Sequence, residues 1–554
     1  MSEVASPVGS KEFLKLCAWT ALASLLISVW CVLTNDVIND DGILYVHTAR
    51  LFAEGNATVA LDAMGSSRWP FYPWLIAVSG QSFGIDLEWA AHALNAIALA
   101  IAAIFFLAII RELRPQRTIL ILAALIFLIF PTVNEYRDQI IRDQGYIAWY
   151  LASVWTFLRY YLHPSFVRGM LWLVAAIVAA LFRIEGVAFL LLLPLLFLVR
   201  GRFRELAVYT AYPYLILVVG VSVAALLFFG TMPSSLDQLR LSEPLTVLQH
   251  LAASSGASGL ARLLTASKDY LVQASPVPRY APMEYSPAVA LGTFLIVLIG
   301  EICHTITPLY LALAAYGLWK AHVFPSREAR AVWLGFVAVN LLVLCTRLGD
   351  VFFLTERHPL ALALTLMLAV PFGLDRLFCT KPREAADPSI QPHTGLLSEG
   401  GQRCSPVSST SRLHRWLRVG VILLLVYGTV DGLTSFGPGK GYLKEAGLWI
   451  KGRARNNESV FSNDPVVAYY AGRVESDSIT GSGSDRLSAE RVKTILASHT
   501  WIALHDRSGG ANLQQTLELM GLAPPAQVFS NKKGRRVLVF GPRSEPGDYD
   551  RSQY

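Results

Sequence analysis

The chain has 554 residues, 54% of them hydrophobic and 16% charged, with a mean hydropathy of +0.45 and a formal net charge of +7. Apolar stretches of about 20 residues, enough to cross a hydrocarbon core of roughly 30 Å, recur through the first 435 positions, which excludes a soluble enzyme. The excess of basic residues lies largely in short clusters between these stretches, where Lys and Arg set membrane topology, so it does not point to nucleic acid.

The first apolar stretch, about 13–33, lacks a small-residue cleavage site and is expected to be a retained anchor. Further spans are expected at 88–110, 118–133, 145–162, 169–183, 185–200 and 207–229, then one crossing within 288–321, then 331–347, 358–378 and 416–435. The stretch 70–84 is apolar but short and interrupted by Pro and Gly, which suits a re-entrant or interfacial segment. Lys11, Lys15, Arg111, Arg114, Arg117, Arg159, Arg168, Arg200, Arg202, Arg204, Lys320, Arg327 and Arg330 all fall on one face, the cytoplasmic one, if there are about eleven crossings. The polar segments 34–87, 134–144, 230–287 and 348–357 then share the outer face.

The expected fold class is an α-helical polytopic membrane protein with interfacial helices in its first outer loop and a small C-terminal α/β domain. A transmembrane catalytic domain covers 1–379 and a disordered cytoplasmic linker, rich in Ser, Pro and Gly, covers 380–415. The last transmembrane helix covers 416–436, and an outer-face α/β domain covers 437–554. In that domain, β-prone runs at 459–462, 501–505 and 536–540 alternate with helical stretches at 441–451, 487–498 and 511–520. Cys17, Cys31, Cys303 and Cys345 lie in or beside apolar runs and Cys379 and Cys404 in the linker, so no disulfide framework is expected.

The charged residues of the outer segments are the candidates for chemistry. Asp40 and Asp41 open a stretch with helical spacing in which Asp41, Tyr45 and Thr48 share a face, while Leu44, Leu51 and Phe52 suit a helix lying along the membrane surface. Arg68 precedes Trp69-Pro70-Phe71-Tyr72, and a second segment runs from Tyr136 through Arg137, Asp138, Arg142 and Asp143 to Tyr146. A third is Thr355-Glu356-Arg357-His358. Arg183 and Glu185 lie between two apolar runs, where a structural ion pair is favoured; Arg137 and Asp138 are expected to be surface charges capping a span. His47 beside the carboxylates leaves a divalent metal ion open, although no Cys/His cluster with zinc spacing is present.

The order of these motifs, followed by Asn463-Asp464-Pro465 and Tyr469-Tyr470-Ala471-Gly472-Arg473, resembles the polyprenyl-phosphate-dependent glycosyltransferases of the GT-C fold. Within them it is most similar to the bacterial branch that includes protein O-mannosyltransferases and the lipid A aminoarabinose transferase. The chain departs from the family's usual pattern at three places: Asp40-Asp41 stands for Asp-Glu, Arg68 for Lys, and His358 for Tyr. The resemblance implies a polyprenyl-phosphate-linked sugar donor and a glycan, lipid or protein acceptor meeting at the periplasmic face of a bacterial inner membrane. It makes Asp40 the first candidate base, with Asp41 orienting it and Asp143 as a further acidic residue. Arg68, Arg142 and Arg357 become candidates for the donor phosphate, with Tyr72 and His358 lining the substrate site.

The chemistry fits those residue types. A carboxylate removes the acceptor's proton as the acceptor attacks the anomeric carbon, and guanidinium groups stabilise the departing phosphate. Two other functions stay open on sequence alone. A transporter or flippase of lipid-linked saccharides would need polar residues within several spans. A glycan ligase would use a large outer loop, here 230–287 with Arg240, Arg262, Lys268 and Arg279.

Overall fold

The computed structural model describes residues 8–64, 69–199, 201–206, 214, 265, 281–351, 353–378, 412–434, 439–455, 458–472, 495, 500–506 and 524–542. Six of the described helical segments are long and apolar enough to cross a membrane: Ser10–Thr34, Leu87–Leu113, Ala288–Ile306, Arg327–Gly349, Leu360–Phe378 and Trp416–Leu433. The first of them inverts the soluble-protein pattern. On α1 (Ser10–Thr34) the large residues Leu14, Trp19, Leu26 and Leu33 face outward, while Cys17, Thr20, Ser24, Ser28 and Cys31 are buried. Lipid solvates the large apolar side chains, and the small and polar ones pack against the bundle, the arrangement expected of a multi-pass membrane protein.

Between the first two spans, three short helices cover the end of the bundle: α2 (Asp40–Ala53), α3 (Ala57–Ala63) and α4 (Phe71–Phe83). The expected interfacial stretch at 70–84 is thus α4, which starts after Pro70 and stops at Gly84, whose φ of 62° reverses the backbone. The bundle centre is formed by α5 (Leu87–Leu113), α6 (Arg117–Ile129), the short α7 (Pro131–Glu135), α8 (Asp143–Leu162) and α9 (Phe166–Phe182). Phe157, Tyr160 and Trp172 are almost wholly buried there with their rings in mutual contact, and Phe336 joins them to buried Tyr150 by two edge-on contacts. Next come α10 (Gly186–Leu192), α11 (Leu195–Val199) and α12 (Phe203–Leu206).

The region 288–321, where one crossing was expected, is divided into two helices, of which Ala288–Ile306 is long and apolar enough to cross. It forms α13 (Ala281–Ile306) and α14 (Pro308–Lys320), which meet at Thr307 with φ 60°. Pro308 has no N–H to continue the first helix, so the helix breaks there. At the break, the Thr132 hydroxyl donates to the Thr305 carbonyl at 2.6 Å and the Thr305 hydroxyl to the Glu356 carbonyl at 3.1 Å. At the other end of α14, Arg114 donates to the His322 carbonyl at 2.6 Å. α14 thus lies between the Thr132 end and the Arg114 end of the neighbouring segment. The expected span 207–229 and outer loop 230–287 lie mostly outside the described residues, as does the linker 380–415.

The basic turns gather at one end of the bundle. The Val8 N–H donates to the Pro115 carbonyl, Arg111 lies over the Phe13 ring at 4.4 Å, and Arg159 pairs with Glu112 at 3.4 Å. The opposite end carries α2 and the loop 353–359. The bundle is completed by α15 (Arg327–Val351), α16 (Leu360–Met367), α17 (Val370–Phe378) and α18 (Arg412–Leu433).

After α18 the chain forms a small α/β module with α19 (Gly441–Lys451), β1 (Val460–Ser462), α20 (Pro465–Tyr470), β2 (Trp501–Asp506), β3 (Gln527–Ser530) and β4 (Arg536–Phe540). The sheet order is β1-β2-β4-β3, with β1 parallel to β2 and the other pairings antiparallel. The three β-prone runs of the sequence are β1, β2 and β4; the largely exposed edge strand β3 was not expected, and the helical stretches 487–498 and 511–520 lie almost wholly outside the described residues. The motif Asn463-Asp464-Pro465 is structural. Asn463 hydrogen-bonds both the backbone N–H and the carbonyl of His505, and Asp464 caps α20 through the Val466 N–H.

Candidate functional site

Two close backbone approaches build the site. At Gly42 in the first turn of α2, a Cβ would stand 2.7 Å from the Asn39 amide oxygen and 3.0 Å from the Ile140 Cβ. The bare glycine lets the loop before α8 lie against the start of α2, and the Asn39 side chain joins them by accepting from the Ile140 N–H at 2.8 Å. At Gly145 in the first turn of α8, a Cβ would lie 2.1 Å from the Phe182 ring. That contact lets the end of α9 pack against the start of α8, and it brings Arg183 onto Asp143.

The outcome is a cluster of charges from four segments. Arg183 forms ion pairs with Asp143 and with Glu185, the latter at 2.6 Å, and lies over the Tyr146 ring at 5.5 Å. Arg357 forms an ion pair with Asp41, and its backbone carbonyl lies 3.5 Å from the Arg183 guanidinium. Asp143 and Arg183 are buried, whereas the Arg357 and Asp41 side chains are 31% and 42% exposed. Tyr45, one turn after Asp41, senses the whole cluster. Burial pushes its hydroxyl up to about 12, with the charges of Arg142, Asp41, Asp143 and Arg357 acting on it in opposing directions.

Of the predicted site residues, the structure brings Asp41, Asp143, Arg142, Arg357 and His358 to one place. Arg142 is half-buried beside Asp143 and its side chain makes no hydrogen bond or ion pair among the described residues, although its charge reaches Tyr45 and Glu185. Asp40 is exposed at the N-terminus of α2, while Asp41 faces the arginines. Tyr72 is buried one layer below: its hydroxyl donates to Asn95 at 2.9 Å and its ring meets Tyr45 edge-on at 5.2 Å. Arg68 lies outside the described residues.

His358, in the loop before α16, is held by Thr355, whose N–H donates to Nδ1 at 3.0 Å. Burial, with the nearby charges of Arg183 and Arg347, lowers its pKa to about 4, so the ring is neutral at physiological pH. It lines a cavity with Tyr146, Arg183, Glu185, Asn340 and Arg347 that continues from the ion pairs into the bundle. Arg347 and Asn340 escaped the sequence reading. The signal for Arg347 was a charge at the end of an apolar run, the same signal that marked Arg183.

One expectation needs correction. Arg137 is not a surface charge: it is 1% exposed and donates to Ser28 at 2.8 Å, to the Ser24 carbonyl at 3.0 Å and to Asn134 at 2.7 Å. The polar face of α1 supplies oxygens that apolar spacing does not reveal. Arg183 pairs with Glu185 and also holds Asp143. As for a metal ion, the described residues contain no group of three His, Cys, Asp or Glu that could hold one. Asp41 and Asp143 are each paired with a guanidinium.

The helical bundle, capping helices and charged site define a multi-pass membrane protein of the GT-C fold. The chain is similar, with a TM-score of 0.53 and 12% identity, to the oligosaccharyltransferase of Archaeoglobus fulgidus in a structure tethered with an acceptor peptide containing the NVT sequon; the match covers 97% of this chain and 74% of that one. It also aligns with ArnT from Cupriavidus metallidurans bound to undecaprenyl phosphate, at 15% identity and a TM-score of 0.43, over 97% of this chain and 100% of that one. No protein-family model matches the sequence, and no curated protein matches it.

Proposed function

We propose that the protein is an inverting glycosyltransferase that moves a sugar from a polyprenyl-phosphate donor to an acceptor at the outer face of a bacterial inner membrane. The observation that carries this reading is the convergence of Asp41–Arg357 and Asp143–Arg183, from separate segments, where membrane-spanning helices meet the capping helices. A lipid-borne phosphate enters from the side, at the level where its tail stays in hydrocarbon and its charge meets arginine.

Asp41 is the base we favour over Asp40, because it faces the arginines while Asp40 is exposed at the helix end. Arg357 holds Asp41. An incoming phosphate competes for that guanidinium, and the released carboxylate takes the proton of the acceptor hydroxyl or amine. The acceptor forms its bond to the anomeric carbon as the bond to phosphate oxygen breaks, leaving the electron pair on the phosphate. Arg357 and Arg142 stabilise that developing charge, with Arg183 fixed between its two carboxylates as a scaffold. The outer-face placement is supported by the basic turns at the opposite end of the bundle.

The test is transfer by the purified protein in liposomes supplied with polyprenyl-phosphate sugars and candidate lipid, glycan and peptide acceptors. Release of polyprenyl phosphate coupled to a glycosylated acceptor is expected. Movement of intact lipid-linked sugar between leaflets without transfer would favour a flippase and end this reading.

A further inference from the structure

The segment between α1 and the acidic helix α2 is held by a group from the far C-terminal module. The Ile38 N–H, two residues before Asp40, donates to the Tyr470 hydroxyl at 3.2 Å. Ile38 is 4% exposed, so this donor lies where water cannot readily replace the tyrosine. Its neighbour Tyr469 donates to Glu88 in the first turn of α5 at 2.9 Å, and the two tyrosine rings meet edge-on at 5.2 Å. One pair of adjacent tyrosines thus grips both the lead-in to α2 and the start of the second span.

The grip has a stiff mount. The tyrosines end α20, whose N-cap Asp464 accepts from the Val466 N–H at 3.0 Å and is paired with His505 Nδ1 at 2.7 Å. His505 Nε2 is hydrogen-bonded to the Tyr442 hydroxyl at 2.7 Å, which ties α20 to β2 and α19. On the other side of the α2 lead-in, Asn39 is locked to Ile140. The start of α2 is therefore clamped between the loop before α8 and the C-terminal module, and Asp41 stands on its first turn.

We propose that Tyr470 is a positioning residue: through the Ile38 amide it fixes the N-terminus of α2 so that Asp41 meets Arg357, making the C-terminal module part of the site's scaffold. This rests on the proposed glycosyl transfer and extends it to a residue that touches no substrate. Removing only the hydroxyl should loosen α2 without disturbing donor binding, since the arginines stand on other segments.

The experiment uses the full-length chain in lipid nanodiscs, comparing wild type with Tyr470→Phe and Tyr470→His, the second retaining an acceptor nitrogen. Hydrogen exchange is followed over residues 35–45, with β2 as the internal reference, alongside donor titrations of transfer. Tyr470→Phe is expected to speed exchange at 35–45 and lower kcat by about fivefold each, leaving the donor KM within about twofold. Tyr470→His should fall between it and wild type. Unchanged exchange at 35–45 would overturn the clamp, and faster exchange with unchanged kcat would overturn its positioning role. A wild-type protein with no transfer would remove the function and the positioning role together, whereas the exchange difference reports on the clamp independently.

Discussion

Arg137 and Arg357 flank the same end of the bundle and are held in opposite ways. Arg137 is 1% exposed and its named partners are neutral oxygens of Ser24, Ser28 and Asn134, with one guanidinium nitrogen left without a partner. Arg357 is 31% exposed on its side chain and is held by one carboxylate, Asp41. A cation wrapped in neutral acceptors inside a membrane bundle has nowhere to go and acts as a fastener between α1 and the loop before α8. A cation on a half-exposed carboxylate can exchange that partner for another anion at modest cost. Charge alone does not separate structural from functional arginines; the exchangeability of the partner does.

The contrast breaks most directly at Asp41. Asp41→Asn should lower turnover by roughly 10²–10⁴ without loss of folded protein, because the amide cannot take the proton. Asp40→Asn should do much less, since Asp40 is exposed. Equal losses in the two variants, measured with one donor and acceptor, would return the base to Asp40. On the other side, Arg137→Met should act on stability, by about 2–4 kcal/mol, because it strips several buried acceptors of their donor. Thermal melting of the detergent-solubilised protein measures it, and an unshifted midpoint would contradict the fastener role.

Arg357→Ala should cost about 1.5–3 kcal/mol in transition-state stabilisation, seen in both kcat and donor affinity, with little change in melting temperature. Lys should restore only part of it, since it lacks the planar fork. If Arg357→Ala melts as early as Arg137→Met, the distinction between the two arginines fails. The smallest effect is that of His358, whose folded pKa of about 4 lies below the ordinary 6.5. The stability held in its neutral form is fully present above pH 6.5 and is lost as pH falls towards 4. Melting temperatures from pH 7 to pH 4.5 should therefore fall less steeply in His358→Asn than in wild type. Identical slopes would mean that the ring is not held neutral.

Much of the architecture was legible because a membrane makes local sequence decisive. A run of about 20 apolar residues must satisfy its own backbone, so it becomes a helix wherever the chain goes. Asp40-Asp41-Gly42 opened α2 as its spacing indicated, and the β-prone runs of the C-terminal module became strands. The stretch 288–321 was harder, because its total apolar length suits one crossing or two. The break at Thr307-Pro308 divides it into two helices, and the contacts of Thr305 with Thr132 and Glu356 hold the junction.

By itself, then, the sequence determined the class of protein, the helices, the gathering of basic turns at one end and the set of charged segments from which a site could be drawn. Only the tertiary structure decided which charges meet. It put Asp41 rather than Asp40 on Arg357, gave Arg183 two carboxylates, buried Arg137 against α1 and laid Tyr470 over the backbone before α2. The physical reason is that helix formation and membrane insertion are set by residues within one segment. Ion pairing at the site depends on close approaches, at Gly42 and Gly145, between residues about a hundred and about forty positions apart, respectively, for which a single sequence carries no local signal.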